Sequence, residues 1–434
     1  MPHDGSLLDL PSSNKPLEMT KVYVRPRPLA VSEAGDASVC YEFHEDGGGV
    51  RVSGFAKQFP HFEGVLSPDN NEAYAHAIQP LVPAMLAGAT SCCFAYGHTN
   101  SGKTHTIFGY GEDQGMYQRA IHDLFELHQS SATANGLLVQ VRFYELYNGK
   151  VYDLLNHRQP GFVREDAHGV IHVRSATTMG PNGEVLTQAL RAAYARTPEA
   201  LIALVAGGRS LRAAGTSELH DQSSRSHAVL ELEVVTEELA QARQDVVIAE
   251  SQVVPLGKAR DDQYIAIQMT LYVAAADGSY AASGAVASPE ATARLHGLET
   301  QVRLAEAVVE AAKERVAAEK ARCNGGMLVF VDLAGAEYTG RGLSRSPKEM
   351  KEAKEINTSL LALKECIRAA QTTGSTHVPF RNSKLTMVLK SHLEPEHAAH
   401  TVMVATVSSA EMHRSKSVDT IKYAALVADA FKRS

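Results

Sequence analysis

Gly97-His98-Thr99-Asn100-Ser101-Gly102-Lys103-Thr104 constrains this chain more than any other stretch. It follows an apolar run from Ala89 to Tyr96 and fits the phosphate-loop pattern G-x-x-x-x-G-K-[ST] along its whole length. Two glycines let the backbone wrap an anionic phosphate with successive N–H groups pointing inward, and the helix that starts there offers its positive end. Lys103 can then reach the outer phosphates as a charge, and the Thr104 hydroxyl can ligate Mg²⁺. A strand, a tight loop and a helix are required in that order. The chain is therefore expected to bind a nucleoside triphosphate with Mg²⁺.

The remaining length must be built around that unit. At 434 residues the chain can hold two or three domains, or one large α/β domain with insertions. Strand-like segments are predicted at Lys21–Arg25, Ser91–Tyr96, Leu138–Tyr147, Ala228–Val235 and Met327–Asp332, the last a short run suited to a sheet buried on both faces. Helical patterns alternate with them at Asn71–Ala87, Gly115–His128, Thr197–Leu211, Glu349–Ala370 and Ser417–Phe431. That alternation predicts an α/β sandwich around a largely buried sheet. Cys92 and Cys93 would face opposite sides of one strand, and five scattered cysteines without a C-x-x-C read as reduced, buried thiols in the cytosol.

Charge and hydropathy exclude several classes. The net charge of −7 argues against a general nucleic-acid binder. No stretch is long and apolar enough to span a bilayer, and the first twenty residues lack a secretory pattern. The charge is uneven, however. From Arg341 onward Lys and Arg outnumber Asp and Glu by fifteen to nine, so an acidic partner could be met there.

One block breaks the alternation. Between Thr236 and Arg322, Leu239, Ala242, Val246, Ala249 and Val253 recur at steps of three and four. Leu295, Leu298, Val302, Ala305, Val309, Ala312 and Val316 do the same. Such steps make the seam of a coiled coil or antiparallel helix pair. Residues 236–322 are thus expected to form a helical arm inserted in the larger domain, with Tyr264–Val273 strand-like and Asp277–Pro289 a loop. The arm could support self-association.

Two further motifs extend the phosphate-loop argument. Asp332-Leu-Ala-Gly335 follows a strand directly, so its carboxylate could hold Mg²⁺ through water and Gly335 could offer its N–H to a terminal phosphate. Ser223-Ser224-Arg225-Ser226-His227 clusters hydroxyls beside an arginine, suited to a loop that orders on Mg²⁺ and phosphate. A GTPase shares the first two motifs, but no [NT]-K-x-D guanine reader occurs, which favours adenine.

Together with Arg25-Pro-Arg-Pro28, these segments resemble, in order, the four nucleotide motifs of the kinesin motor domain. Ile356–Leu363 and His377–Leu385 resemble its microtubule-facing helix and loop. The resemblance covers Lys21 to Lys432 apart from the arm, with residues 1–20 as an extension ahead of a 21–434 motor domain. It implies a P-loop NTPase fold with a mostly parallel or mixed central sheet between helices, a microtubule-dependent ATPase, and a place in the cytoplasm on the cytoskeleton. Arg25, Arg27 and Pro28 would border the adenine, with His105 packing near it. Gly97, His98, Thr99, Asn100, Ser101, Gly102, Lys103 and Thr104 would hold the phosphates, and Thr104, Ser224 and Asp332 would serve the Mg²⁺. Lys103, Ser223, Ser224, Arg225, Gly335 and Glu337 would form the catalytic set, Arg225 pairing with Glu337 when the site closes. Lys364, Arg381 and Lys384 would contact tubulin.

Three residues depart from the family pattern: His98 replaces its usual Gln, His220 its Asn and Ala336 its Ser. The first two would tune nucleotide affinity or release, leaving the core catalytic groups in place. Lys364-Glu365-Cys366 and Tyr147–Leu155 resemble the microtubule-depolymerising subfamily, whereas His44–Ser53 lacks that subfamily's Lys-Val-Asp triplet. The sequence ends at Ser434, just past the closing helix Val418–Lys432, so two-headed walking is expected only if the arm supplies the hardware.

Overall fold

The computed structural model describes residues 20–45, 49–130, 137–166, 169–180, 185–186, 189–214, 224–274, 279–336, 346–370, 378–393 and 400–432. Its frame is a mixed sheet. The strands are β1 (Thr20–Arg27), β2 (Gly64–Val65), β3 (Thr90–Tyr96), β4 (Leu138–Tyr147), β5 (Lys150–Asp153), β6 (Gln159–Glu165) and β7 (Ile171–Ser175). β8 (Ala193–Ala195), β9 (His227–Val235), β12 (Met327–Asp332) and β13 (Thr401–Ser408) complete it. Their order is β7-β6-β5-β4-β9-β12-β3-β13-β1-β2, with β8 also on β4. β12, β3, β13, β1 and β2 run parallel, and β9 joins them antiparallel, Ala228 opposite Asp332. The carboxyl ends of β1, β3, β12 and β13 therefore meet the start of β9 along one rim of the sheet. In parallel sheets that rim is where ligands bind.

Both faces of the sheet are covered, which explains the unbroken apolar runs. On one face lie α1 (Asn70–Ala77), α2 (Leu81–Leu86), α3 (Lys103–Phe108), α4 (Met116–Ser130) and α5 (Pro198–Ala214). Cys93, Phe143, Leu230 and Phe330 pack there with Ile107, Ile121 and Leu201. The opposite face packs Cys92, Phe94, Val229 and Val331 with Ile356, Leu363 and Ile421 from two other helices. The adjacent cysteines thus split between the faces. The helix expected over Asn71–Ala87 is two helices, because Pro80 has no N–H to continue the first and instead begins the second.

The block after β9 folds as α6 (Glu237–Leu271), a hairpin of β10 (Tyr272–Ala274) and β11 (Tyr280–Ala282), and α7 (Pro289–Cys323). The two 35-residue helices run antiparallel: Arg315 reaches Asp245 and Gln263 reaches the Ala291 carbonyl. Leu239, Ala242, Ala249, Val302 and Val309 of the apolar seam are buried between or beneath them. Tyr264–Val273 is helical to Leu271, not a strand; the seam continues through buried Ile267 and overrides the β-propensity of Tyr264 and Ile265. Beyond it the loop expected at Asp277–Pro289 contains β11, while 275–278 lie outside the described residues. The remaining helices are α8 (Pro347–Ala370), α9 (Lys384–Val388), α10 (Lys390–Leu393) and α11 (Arg414–Lys432). Among the described residues no helix is long and apolar enough to cross a membrane.

Candidate nucleotide site

The phosphate loop turns where its sequence permits. Gly102 has φ +102° and Asn100 φ 63°, left-handed values that glycine and asparagine tolerate. Gly97 is required for space: a Cβ there would lie 2.3 Å from the Thr406 carbonyl oxygen. Ser101 Oγ meets Thr406 Oγ1 at 2.7 Å, pinning the loop to β13. Lys103 is buried, and its Nζ donates to the carbonyls of Gly97 (3.1 Å) and His98 (2.8 Å). Its charge is thereby held inside the curve of the loop.

At the end of β12, Asp332 Oδ2 accepts from Thr104 Oγ1 at 2.9 Å and from Arg212 Nη1 at 2.8 Å. Asp332 Oδ1 is fully buried with no hydrogen-bond partner, as is Thr99 Oγ1. A buried carboxylate oxygen left over beside a hydroxyl is the hard-oxygen donor set that Mg²⁺ and its waters take. The residues present therefore fit a Mg–nucleotide ligand. Gly335 N donates to Ser224 O (2.9 Å) and Ala336 N to Gly97 O (3.2 Å), so the Asp332–Gly335 motif closes on both the Ser224–His227 segment and the phosphate loop. A side chain at Gly335 would meet Thr99 Oγ1 at 2.3 Å.

A cleft of about 700 Å³ opens beside the loop, lined by Arg27, Pro28, Lys103, Thr104, His105 and Ser224 among others. Tyr110, also on its wall, stacks on His105 at 5.9 Å, and His105 is steadied by Asp113 at 2.8 Å. Arg27 forks onto Glu33 at 2.6 and 2.7 Å and gives Nε to the Asn100 carbonyl, holding the Glu33 carboxyl well below the usual range.

Two expected positions differ. Arg25 does not line the cleft; it is buried beneath it, bonding Thr106 Oγ1 (2.8 Å) and the carbonyls of Ser67 and Pro68. His98 also points away, toward Ser417 and His413, and burial lowers its pKa to about 3. Ser223, His220 and Glu337 lie outside the described residues. Arg225 pairs with Glu352 (2.9 Å) and Glu349 (3.3 Å) of α8, and Tyr147 donates to the other oxygen of Glu352.

Two residues carry roles that the sequence reading did not assign, His227 having been named only as the end of its motif. Arg212, buried at the end of α5, grips Ser226 and Asp332; its carboxylate partner is 120 positions away, so no local pattern marks it. His227 accepts from Ala334 N at Nδ1 (3.0 Å), which puts its proton on Nε2, facing Ser359 Oγ at 2.9 Å. Ser359 in turn donates to the Ile356 carbonyl. Burial, with Arg212 and Lys103 nearby, lowers the His227 pKa to about 3, so the ring stays neutral. This relay joins both nucleotide motifs to α8.

Of the residues expected to face a filament, Arg381 is exposed and bidentate to Glu165 (2.7 and 3.0 Å). Lys384 lies by a small groove with Arg225 and Glu352, and Lys364 rests 6.0 Å over the Tyr423 ring. Cys366 is buried in the core.

The sequence model of the kinesin motor domain matches residues 50–260 and 300–429, with the distal part of the arm falling between the two stretches. Mouse kinesin-like protein KIF24 is 27% identical over 420 residues, 94% of this chain and 24% of that protein. Kinesin-like protein KIN-13B of Arabidopsis thaliana is 27% identical over 415 residues, 93% of this chain and 46% of that protein. The chain thus spans between about a quarter and a half of these curated relatives. Among solved structures, a fast kinesin superposes with a TM-score of 0.63 at 21% identity, covering 94% of this chain and 91% of that one. Kinesin motor domains generally bind nucleotide with Mg²⁺ and hydrolyse ATP. The phosphate loop, the two motifs closed on it and the family match over most of the length together establish that this chain belongs to the kinesin family.

Proposed function

We propose that this chain is a Mg²⁺-dependent ATPase whose turnover is coupled to microtubule binding and drives movement on the filament. The observation that carries the reading is the hydrogen-bonded path from nucleotide motif to α8, Ala334 N to His227 to Ser359. A loop that senses phosphate and a helix that resembles the family's filament face move together when one neutral ring bonds both. Lys103 would neutralise the outer phosphates, and Gly335 would present its N–H to the terminal one. Thr104, Asp332 and Ser224 would hold the Mg²⁺, which supplies charge neutralisation on the phosphates. Arg225 would leave Glu349 and Glu352 for Glu337 on closure, exchanging one buried-edge ion pair for another. Tubulin would meet α8 and the Arg381–Lys384 segment.

Steady-state ATPase with and without microtubules, with filament length followed by microscopy, tests this reading. Turnover should rise on microtubules; shortening filaments would identify the depolymerising variant of the same motor. Absence of any ATP turnover, with or without filaments, would leave only a nucleotide-gated binding module.

A further inference from the structure

The distal end of the helical arm differs chemically from its shaft. From Gln263 to Pro289 the sequence holds one charged residue, Asp277, whereas the shaft carries both signs throughout. Ile267 is buried on the side that turns toward α7. At about 100° per residue, Ile265 and Met269 project from the opposite side. They are 51 and 75% exposed, Tyr264 is 52% exposed nearby, and Tyr272, the first residue of β10, is 46% exposed. Past the helix every residue of β10 and β11 is exposed, Val273 at 52% and Tyr280 at 76%.

The hairpin is incomplete by itself. Its two strands pair only with each other among the described residues. An isolated two-stranded hairpin is marginal in water, and its outer edges present unpaired backbone groups. Sequences usually blunt such edges with Lys, Pro or inward charge. Tyr272-Val-Ala274 and Tyr280-Ala-Ala282 contain none of these.

We infer that the arm tip is a self-association surface whose occupant is the same tip of a second copy of this chain, related by a two-fold axis. An open strand edge is complementary to an identical edge, so pairing two hairpins edge to edge joins them into one four-stranded sheet. The described residues of the tip, 263–274 and 279–289, carry no charge, so joining them buries none unpaired. An acidic partner surface would find no cation here to meet. Three tyrosines and three aliphatic side chains, each about half exposed or more, amount to roughly 500 Å² per copy and about 1,000 Å² in total. That is about the lower bound for a specific interface, so the association is expected to be weak and concentration-dependent. The base of the arm supports the geometry. Glu233 on β9 takes Arg243 of α6 at 2.8 Å through both oxygens and Lys320 of α7 at 2.8 Å, so both helices are tied to the sheet.

The inference does not depend on motor activity, because its readout is mass. Sedimentation of the full chain should show a monomer passing to a dimer as concentration rises from about 1 to about 100 μM. Met269→Glu with Tyr280→Glu should weaken the dimer at least about tenfold. Leu304→Glu with Val308→Glu, on exposed shaft positions, should leave it unchanged. Should the charged tip variant lose helicity, Val273→Thr with Tyr280→Ser removes apolar surface without adding charge and must weaken the dimer instead. A wild type that stays monomeric throughout overturns the inference, as does dimerisation indifferent to the tip or abolished by the shaft variant. A monomer that floats with neutral phosphatidylcholine vesicles would reassign the tip to a lipid surface and equally overturn it.

Discussion

Lys103 and Arg212 are both buried cations near His227, yet their surroundings ask different things of them. Lys103 is held by two loop carbonyls, neutral acceptors that water could serve if the side chain were shortened. Arg212 balances a fully buried carboxylate. Removing one partner of a buried ion pair strands the other and costs about 3–5 kcal/mol. Lys103→Ala should lower ATP turnover about 100-fold or more. Arg212→Ala should lower the melting temperature sharply, and Arg212→Met with Asp332→Asn should recover part of the loss by removing both charges. Calorimetry beside a turnover assay separates the two; an Arg212→Ala protein as stable as wild type would show that Asp332 is already solvated.

At the scale of elements, α8 is reached from the nucleotide rim by His227 and Ser359 on one side and by Arg225 on the other. His227→Ala should reduce microtubule stimulation by about 2- to 30-fold, the range in which single positions alter coupling, while basal turnover changes less. Because the ring is already neutral well above pH 3, stimulation should show no step near pH 6.5 attributable to it. Equal stimulation in wild type and His227→Ala would remove the relay. Arg381→Glu with Lys384→Glu should weaken filament co-sedimentation and flatten its salt dependence, leaving basal turnover intact. Part of that loss will come from new repulsion against Glu165, which now pairs with Arg381, so Glu165→Gln is the matching control. These contacts also mark the limit of what the sequence discloses. Met327–Asp332 was legible because a strand buried on both faces is nearly continuously apolar, and Leu138–Tyr147 because its Val, Phe, Tyr and Leu side chains favour a strand despite Gln140, Arg142 and Glu145. The phosphate loop was legible because its glycines and lysine are dictated locally by the phosphate. Arg212 with Asp332, and Arg225 with Glu349 and Glu352, were not, since charge pairing across more than a hundred positions leaves no periodic trace. Tyr264 and Ile265 misled because their β-propensity was weighed without the facing helix.

For the whole molecule, the arm and the nucleotide rim lie at opposite ends of the same two strands. His227 and Asp332 sit at the rim, whereas Val235 and Met327 feed the arm. Val234 N bonds Gly326 O at 3.0 Å, so the two strands arrive at hairpin spacing and a short Gly/Ser turn can replace the arm. Glu233 decides whether that replacement folds. Burial alone would raise its pKa, but Arg243 and Lys320 bring it down to about 2. A folded value below the unfolded 4.5 contributes stability above pH 4.5 and loses it as pH falls toward 2, about 3 kcal/mol in all. The arm supplies both cations, so deleting 236–322 alone leaves a buried carboxylate unpaired. Arm deletion with Glu233 retained should therefore melt well below wild type. The same deletion with Glu233→Thr should recover most of that loss and bind nucleotide as wild type does, with the acid-side stability change between pH 4.5 and 2 diminished. Thermal melts across that pH range, with nucleotide titration at neutral pH, read both quantities. A Glu233→Thr arm-less chain that folds but fails to bind nucleotide would make the arm part of the motor's core rather than a device attached to it.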